Sequence, residues 1–315
     1  MGQEIEFFEQ PLDEDFDGDL SEFEIISVFI YSKVTARVFK KMPQIKLVTT
    51  RSTGFDHVDL TYAKENKISV ANVPAYGENT VAEHTFALIL ALSRKIVPSS
   101  EHVRHNNDFS LDGLRGFDLE GKTIGIIGTG KIGSKVAKIA HSFGMRILGY
   151  DKFQNEELIK KYQLEYMPLK KVLSESDVVS LNMRHTSETH HLINEETIDS
   201  FKTGAVLVNT ARGGLIDTPV LLVALDSGKL AGVGLDVLEE EGTVKEDIQL
   251  TSHQFTRRSL MVGLANAILA HKPNVIITPH NAFNSVEAFK RIMDTTIENI
   301  SEFGNNNPIN LVKAE

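Results

Sequence analysis

KTIGIIGTGKIGSKVAKIAHSFGMRILGYD, Lys122 to Asp151, is the stretch that decides how this chain folds. It opens with a short apolar run, Thr123 to Ile127, that ends in glycine. Gly128-x-Gly130-x-x-Gly133 follows, then an amphipathic run, a second short apolar run and the acid Asp151. Strand, tight turn, helix, strand and carboxylate in that order make a dinucleotide-binding βαβ unit. The spacing predicts that Gly128 permits the sharp turn and that Gly130 leaves the backbone open to a pyrophosphate. Gly133 lets helix and strand pack closely. The pyrophosphate would lie on free N–H groups at the helix start, where the helix dipole also favours negative charge. Asp151 lies 18 residues past Gly133, close to the spacing that reaches an adenosine ribose. A purely structural glycine turn would explain the glycines but not the strands and the acid around them.

Outward from this unit, short apolar runs alternate with helical patterns. Strands are expected at 123–128, 146–151, 177–181, 205–209, 230–235 and 275–278, and before them at Ile25–Tyr31, Lys46–Thr50 and Ile68–Asn72. Such alternation means parallel sheets with helical crossovers. Thr80-x-x-Glu83 reads as a capping box that opens a long buried helix to about Arg94, with Pro98 just beyond. The domain crossover belongs near this helix. The last helical pattern runs from Val286 to Glu302, ends near Gly304, and returns to the first domain. The fold class is therefore α/β in two domains. A Rossmann-type doubly wound sheet, residues 97–283, is inserted into a smaller flavodoxin-like substrate domain, residues 1–96 and 284–315.

Length and composition bound the function. The 315 residues suffice for about two domains, and 41% hydrophobic with 24% charged content is ordinary for a globular protein. A net charge of −10 gives no general affinity for nucleic acid or anionic membrane. Zero cysteines exclude disulfides and thiol chemistry. No apolar stretch is long enough to cross a bilayer, and the N-terminus is acidic, so the expectation is a cytoplasmic protein. The acids between Asp13 and Asp19 read as a solvated loop.

Three further stretches carry chemistry. In VNTARGGLID, 208–217, an apolar strand runs into Arg212 and two glycines. The C-terminal end of a strand is where open α/β sheets bind ligands, and a guanidinium can hold a carboxylate by two parallel hydrogen bonds. A structural salt bridge at Arg212 is an equally good reading of that stretch alone. In GLDVLEEE, 234–241, Asp236 ends a strand and three glutamates follow, of which at most one matters for chemistry. In ITPHNAF, 277–283, His280 stands at a strand's C-terminal end, where it can exchange a proton near neutral pH. His190-His191 has no carboxylate or cysteine at useful spacing, so no metal site is expected. His57 and His84 read as packing or hydrogen-bonding residues.

Glycine loop, Arg212 strand, acid cluster and ITPHNAF come in the order and context of the D-isomer-specific 2-hydroxyacid dehydrogenases, and the chain resembles that family from about residue 20 onward. RSTGFDHVD, 51–59, and VPAYGENTVAEH, 73–84, look like its substrate loop and the start of its interdomain helix. The D-lactate dehydrogenase branch looks nearest. The resemblance implies NAD as cofactor and a small 2-keto or 2-hydroxy acid as substrate, pyruvate foremost. It implies that Arg212 binds the substrate carboxylate, that His280 is the proton donor, and that Glu241 keeps His280 protonated. Backbone N–H groups at Thr53 and Gly54 would hold the carboxylate, with Tyr76 and Phe283 lining the pocket. Lys131 and Ile132 would follow the glycine turn against the cofactor, which Thr210 and Ala211 border, while Asp236 lies near the nicotinamide. A homodimer is implied, with the long helix from Thr80 and its flanks as interface.

Alternatives on the same fold are glyoxylate, hydroxypyruvate, phenylpyruvate or a branched keto acid as substrate. A nucleotide-sensing corepressor-like binding protein is a reading of another class. The sequence departs from the family in three places. Glu241 and His280 are 39 residues apart, and TSHQFTRRSLMVGLANAILAHKPN, 251–274, fills the gap, as in the D-lactate branch. Arg184 stands where proline is usual, which would soften discrimination against a 2′-phosphate, as Lys152 would too; the Asp151 carboxylate opposes both. The chain also begins late, so EIEFFEQPL is expected to correspond to the family's second strand.

Overall fold

The structure is a computed structural model and describes residues 4–107, 109–240 and 256–312. The chain divides into two compact units, residues 1–77 with 284–315, and residues 78–283.

The smaller unit holds three parallel strands in the order β1-β2-β3: β1 (Ile25–Val28), β2 (Leu47–Thr50) and β3 (Ser69–Ala71). Two short helices make the crossovers, α1 (Ala36–Lys40) capped by the Thr35 hydroxyl and α2 (Leu60–Glu65) capped by the Asp59 carboxylate. Capping satisfies a helix-start N–H that would otherwise lack a partner. Val28, Val38, Phe39, Met42, Val48 and Val70 are buried together as this unit's core. The expectation of a strand at EIEFFEQPL is overturned, since residues 4–24 form no helix or strand. Ile5, Phe7 and Phe8 are exposed there, and Pro11 has no N–H to give a ladder.

The larger unit is a seven-stranded parallel sheet. Its strands are β4 (Thr123–Ile127), β5 (Arg146–Tyr150), β6 (Glu165–Tyr166), β7 (Val178–Leu181), β8 (Ala205–Asn209), β9 (Leu230–Leu235) and β10 (Val275–Ile277). Their order in the sheet is β10-β9-β8-β7-β4-β5-β6, which reverses direction between β4 and β7. Both faces are covered, so β7 and β8 are buried throughout and nearly all apolar rather than alternating, Ser180 being the polar residue inside β7. Ile124, Ile126, Val206 and Val208 face α3 (Glu78–Ser93) and α5 (Lys131–Ser142). Ile127, Val179, Leu207 and Val233 face the opposite layer, which includes α9 (Thr218–Asp226) and α10 (Arg257–Ala270). The crossover helices between them are α6 (Glu156–Tyr162), α7 (Leu169–Glu175) and α8 (Glu195–Ile198).

One helix start differs from the sequence reading. α3 begins at Glu78, so Thr80 sits inside its first turn rather than at the cap. Pro98 lies beyond the end of α3, as expected, in the first turn of α4 (Ile96–Asn106), where a missing N–H removes no helical hydrogen bond. The bend between α3 and α4 is made at Lys95, in left-handed conformation. Because Ala82, Phe86, Ile89 and Leu92 pack in the larger unit's core, α3 belongs there, and the first boundary lies before it rather than at 96/97. The chain returns to the smaller unit at Asn284 and ends with α11 (Val286–Gly304), capped by the Ser285 hydroxyl.

Candidate active site

The glycine turn is built by close approach. The Gly128 N–H donates to the Tyr150 carbonyl at 2.8 Å, and its φ of +91° is one that L side chains rarely adopt. A Cβ on Gly133 would stand 2.0 Å from the Gly128 carbonyl oxygen, so only glycine lets α5 seat against the turn. Gly130 caps α5 without a side-chain hydrogen bond, and the first turn holds no acid. A Cβ at Gly130 would meet nothing within 4 Å. Open space before the first-turn N–H groups, which a helix leaves without an intrahelical partner, at the positive end of the helix dipole fits a pyrophosphate. Lys131 is exposed with its Nζ 3.8 Å from the Glu78 carboxylate, while Ile132 packs on the core.

Asp151 follows β5, directly beside this turn. One of its carboxylate oxygens accepts from the Thr129 N–H at 2.6 Å and the Thr129 hydroxyl at 3.2 Å, the other from the Phe153 N–H at 3.1 Å. The Thr129 hydroxyl also meets the Tyr166 hydroxyl at 2.7 Å. The sequence reading missed Thr129 and Tyr166. β6, which delivers Tyr166, is only two residues long and has no legible period.

Arg212, Asp236 and His280 stand just past the C-terminal ends of β8, β9 and β10, three neighbours in the sheet. The loop after β8 is held by Asn209, which is fully buried. Its amide donates to the Arg212 carbonyl at 2.8 Å, and its oxygen accepts from the Ala211 N–H at 3.0 Å. Thr210 is buried with its hydroxyl 2.8 Å from that of Thr85. The Arg212 guanidinium donates to the Ala211 carbonyl at 2.7 Å and pairs with no carboxylate among the described residues. A Cβ on Gly213 would fall 2.0 Å from the Leu238 carbonyl oxygen, so the loops after β8 and β9 touch through backbone.

Asp236 is 1% exposed and spends its carboxylate on the loop that carries His280. It accepts from the Thr278 hydroxyl and from the N–H groups of Asn281 at 2.8 Å and Ala282 at 2.9 Å, with His84 Nε2 at 3.4 Å. Burial pushes its pKa up, but the His84, Thr278 and backbone donors together outweigh that and hold it below the usual range. His280 itself is half-buried in left-handed conformation, φ +52°, with its N–H donating to Asp236 and Thr278 carbonyls at 2.9 Å each.

Glu241 lies outside the described residues. Of the two glutamates before it, Glu240 is exposed, whereas Glu239 is 6% exposed. Glu239 accepts from the Thr218 N–H at the start of α9 at 3.0 Å, from His191 at 2.8 Å and from Arg258 at 3.0 Å. Burial opposes its ionisation, but these donors lower its pKa on balance. The partner of His191 is therefore 48 residues away in sequence, which no local spacing could reveal. Among the described residues no group of three or more His, Cys, Asp or Glu could hold a metal ion.

Thr53 and Gly54 follow β2 in the smaller unit, and Phe283 ends the larger one. The Thr53 hydroxyl donates to the Val73 carbonyl at 2.9 Å, and the Asn72 amide to the Thr53 carbonyl at 2.8 Å. Gly54 offers its carbonyl to the Ser52 hydroxyl at 2.6 Å. The Tyr76 carbonyl accepts from Arg291 of α11 at 2.6 Å. Beside this loop, burial lowers the pKa of Arg51, whose guanidinium lies 5.8 Å over the Phe29 ring. Burial also lowers the pKa of His57, against the nearby Asp56 charge.

This geometry has counterparts among known proteins. A D-lactate dehydrogenase from Aquifex aeolicus, solved with NAD and lactic acid, is 41% identical and superposes with a TM-score of 0.84, covering 96% of this chain and 90% of that one. The "2-hydroxyacid dehydrogenase homolog 1" of Schizosaccharomyces pombe is 39% identical over 302 residues, 92% of this chain and 86% of that protein. An "aromatic 2-oxoacid reductase" of Clostridium sporogenes is 42% identical over 260 residues, 82% and 76% of the two chains. Residues 86–282 match the sequence model described as "D-isomer specific 2-hydroxyacid dehydrogenase, NAD binding domain". A glycine turn open to a pyrophosphate, the sheet-edge loops and these likenesses together place the chain in the D-isomer specific 2-hydroxyacid dehydrogenase family, as an NAD-dependent enzyme.

Proposed function

We propose that this enzyme reduces a small 2-keto acid, pyruvate foremost, to the D-2-hydroxy acid. The observation that carries the reading is the placement of Arg212, Asp236 and His280 past the ends of three adjacent strands in the unit that holds the glycine turn. Keto acid, one hydride and one proton yield the hydroxy acid. Bound NADH supplies the hydride. Arg212, unpaired by any described carboxylate, holds the substrate carboxylate and polarises the carbonyl. His280 delivers the proton to the carbonyl oxygen as charge develops there. Glu241 is its acid partner, assigned by resemblance. By the same resemblance, the backbone of Thr53 and Gly54 is assigned to carboxylate binding, and Tyr76 and Phe283 to the side chain of the acid. The open N-terminus of α5 takes the pyrophosphate and Asp151 the ribose.

Oxidation of NADH against a panel of 2-keto acids tests this directly, with pyruvate expected to turn over fastest. The Clostridium relative favours a second reading, in which phenylpyruvate is preferred. The same panel decides between them, and silence across it would remove the dehydrogenase reading altogether. Replacing Arg212 with Ala should lower kcat/KM by about 30-fold to several thousand-fold while NADH binding persists, since losing one partner of a desolvated charge pair costs roughly 2–5 kcal/mol. An unchanged kcat/KM would reject the carboxylate role.

A homodimer through α3, α4 and their flanks belongs to the same proposal. Phe109 and Leu111, 76% and 83% exposed, support it, since apolar side chains of that size seldom stand together in water without covering. Light scattering showing a monomer at micromolar concentration would overturn it. A cytoplasmic location, which the absence of cysteine suits, completes the reading.

A further inference from the structure

His280 adopts a backbone conformation that costs a non-glycine residue on the order of 1 kcal/mol or more. Such a conformation persists only where neighbouring groups over-determine it. Here the groups are identifiable. Both oxygens of the Asp236 carboxylate receive N–H groups from the residues after His280, Asn281 and Ala282, and the Asp236 carbonyl receives the His280 N–H. The Thr278 hydroxyl closes the loop from the other side by donating to the same carboxylate.

A threonine hydroxyl has one proton. With that proton committed to Asp236, the Thr278 oxygen can only accept from a further partner. His84 Nε2, carried on α3, lies 3.1 Å from that oxygen and 3.4 Å from the Asp236 carboxylate. Both neighbours are acceptors, so Nε2 must bear a proton, whatever the charge on the ring. His84 is thus the donor at the outer end of a part-buried chain, His84 to Thr278 to Asp236, that ends on the backbone around His280.

We infer that His84 is a positioning residue for the proton donor: through Thr278 and Asp236 it holds the His280 loop in its left-handed conformation. This rests on the keto-acid reductase reading for its catalytic consequence, but not for the hydrogen-bond chain. The inference also explains why Asp236 is an acid. A carboxylate offers enough lone pairs to accept from two backbone N–H groups, a hydroxyl and an imidazole together, which an amide could not.

The test pairs kinetics with spectroscopy. A His84→Leu variant should lose about 10- to 100-fold in kcat, as expected for misplacement of a reacting group, with KM and NADH affinity within about threefold. A His84→Gln variant, which keeps an N–H donor at similar reach, should recover kcat to within about threefold of the parent. Full kcat in His84→Leu overturns the inference. So does equal loss in both variants accompanied by a fallen folded fraction, the mark of a merely structural histidine. If His84→Leu does not fold, Thr278→Val breaks the same chain at its middle and should show the same kcat loss; undiminished turnover overturns it. In the unliganded parent, nitrogen NMR of labelled histidine should find the His84 proton on Nε2. A proton on Nδ1 with a bare Nε2 would sink the chain even if no keto acid proves to be a substrate. A silent parent enzyme with Nε2 protonated would instead reject the reaction and leave the chain standing.

Discussion

Single residues set the tightest constraints in this molecule, and two of them are testable by one atom. A Gly133→Ala methyl would fall 2.0 Å from a backbone oxygen, which cannot move without opening the turn. Overpacking of this kind costs roughly 1–3 kcal/mol. The variant should melt several degrees lower and bind NADH weakly, while a normal melting temperature would show that α5 can slide. Asp151 is the second. Its carboxylate braces Thr129 and Phe153, and it also sets the charge beside the ribose position. An Asp151→Asn exchange keeps the acceptor for one N–H and removes the negative charge. Relative kcat/KM for NADPH over NADH should rise about tenfold, since a unit charge at about 4 Å across solvent is worth roughly 1 kcal/mol or more. Arg184 and Lys152, both exposed, would contribute to that tolerance. An unchanged ratio would mean that the ribose is selected elsewhere.

At the scale of elements, Glu239 ties four segments together. It receives the first N–H of α9, a histidine from the loop before α8, and an arginine from α10, while its carbonyl receives the Asn266 amide. The Arg258 link is the weaker part, because its side chain is 48% exposed and such pairs add little. The Thr218 link is buried and the His191 link largely so. A Glu239→Ala exchange leaves those donors without partners, at a cost of roughly 1–3 kcal/mol each. Urea unfolding should show a loss of at least about 2 kcal/mol, and Arg258→Ala much less. Equal losses from both would show that the exposed pair, not the buried donors, secures α10.

Across the whole molecule, acid should be the weak point. Asp236 and Glu239 have pKa values held below their ordinary ones, in each case by hydrogen bonds that outweigh burial, and the Lys202 pair and the Thr123 N–H do the same for Asp177 against its own partial burial. A depressed native pKa means that the unfolded chain binds protons first. The stability these groups contribute is complete above the unfolded values near pH 4 and drains away as pH falls from there through the lower native values. His57 acts in the same direction at higher pH. Burial disfavours its charged form, so unfolding gains protons once pH drops toward its ordinary value of about 6.5. Melting temperature should therefore decline in two stages as pH is lowered from 7 to 3. His57→Asn should abolish the upper stage; a flat profile from pH 7 to 4 would contradict the His57 assignment, and one flat from pH 4 to 3 the carboxylate assignments.

Sequence by itself determined the parts of this protein that depend on local order. The seven-stranded sheet, apart from its two-residue edge strand β6, was legible from short apolar runs, because strands covered on both faces are mostly apolar, with Ser180 of β7 a buried exception. The turn at Gly128, Gly130 and Gly133 was legible because backbone crowding demands glycine at fixed spacing. The ends of β8, β9 and β10 were legible because a polar residue that closes an apolar run marks a sheet edge. Tertiary structure alone decided the rest. His84 and Thr278 are 194 residues apart, and His191 and Glu239 are 48 apart, so no periodicity could join them. Asn209, at the end of its strand, looked like an ordinary polar residue until its amide was found bridging the Arg212 loop. The helix start expected at Thr80 lies instead at Glu78, because capping signals are local preferences of about 1 kcal/mol, and the packing of Ala82, Phe86 and Ile89 outweighs them. Hydrophobic patterning is written along the chain, whereas the pairing of buried polar groups is settled only when the chain has closed on itself.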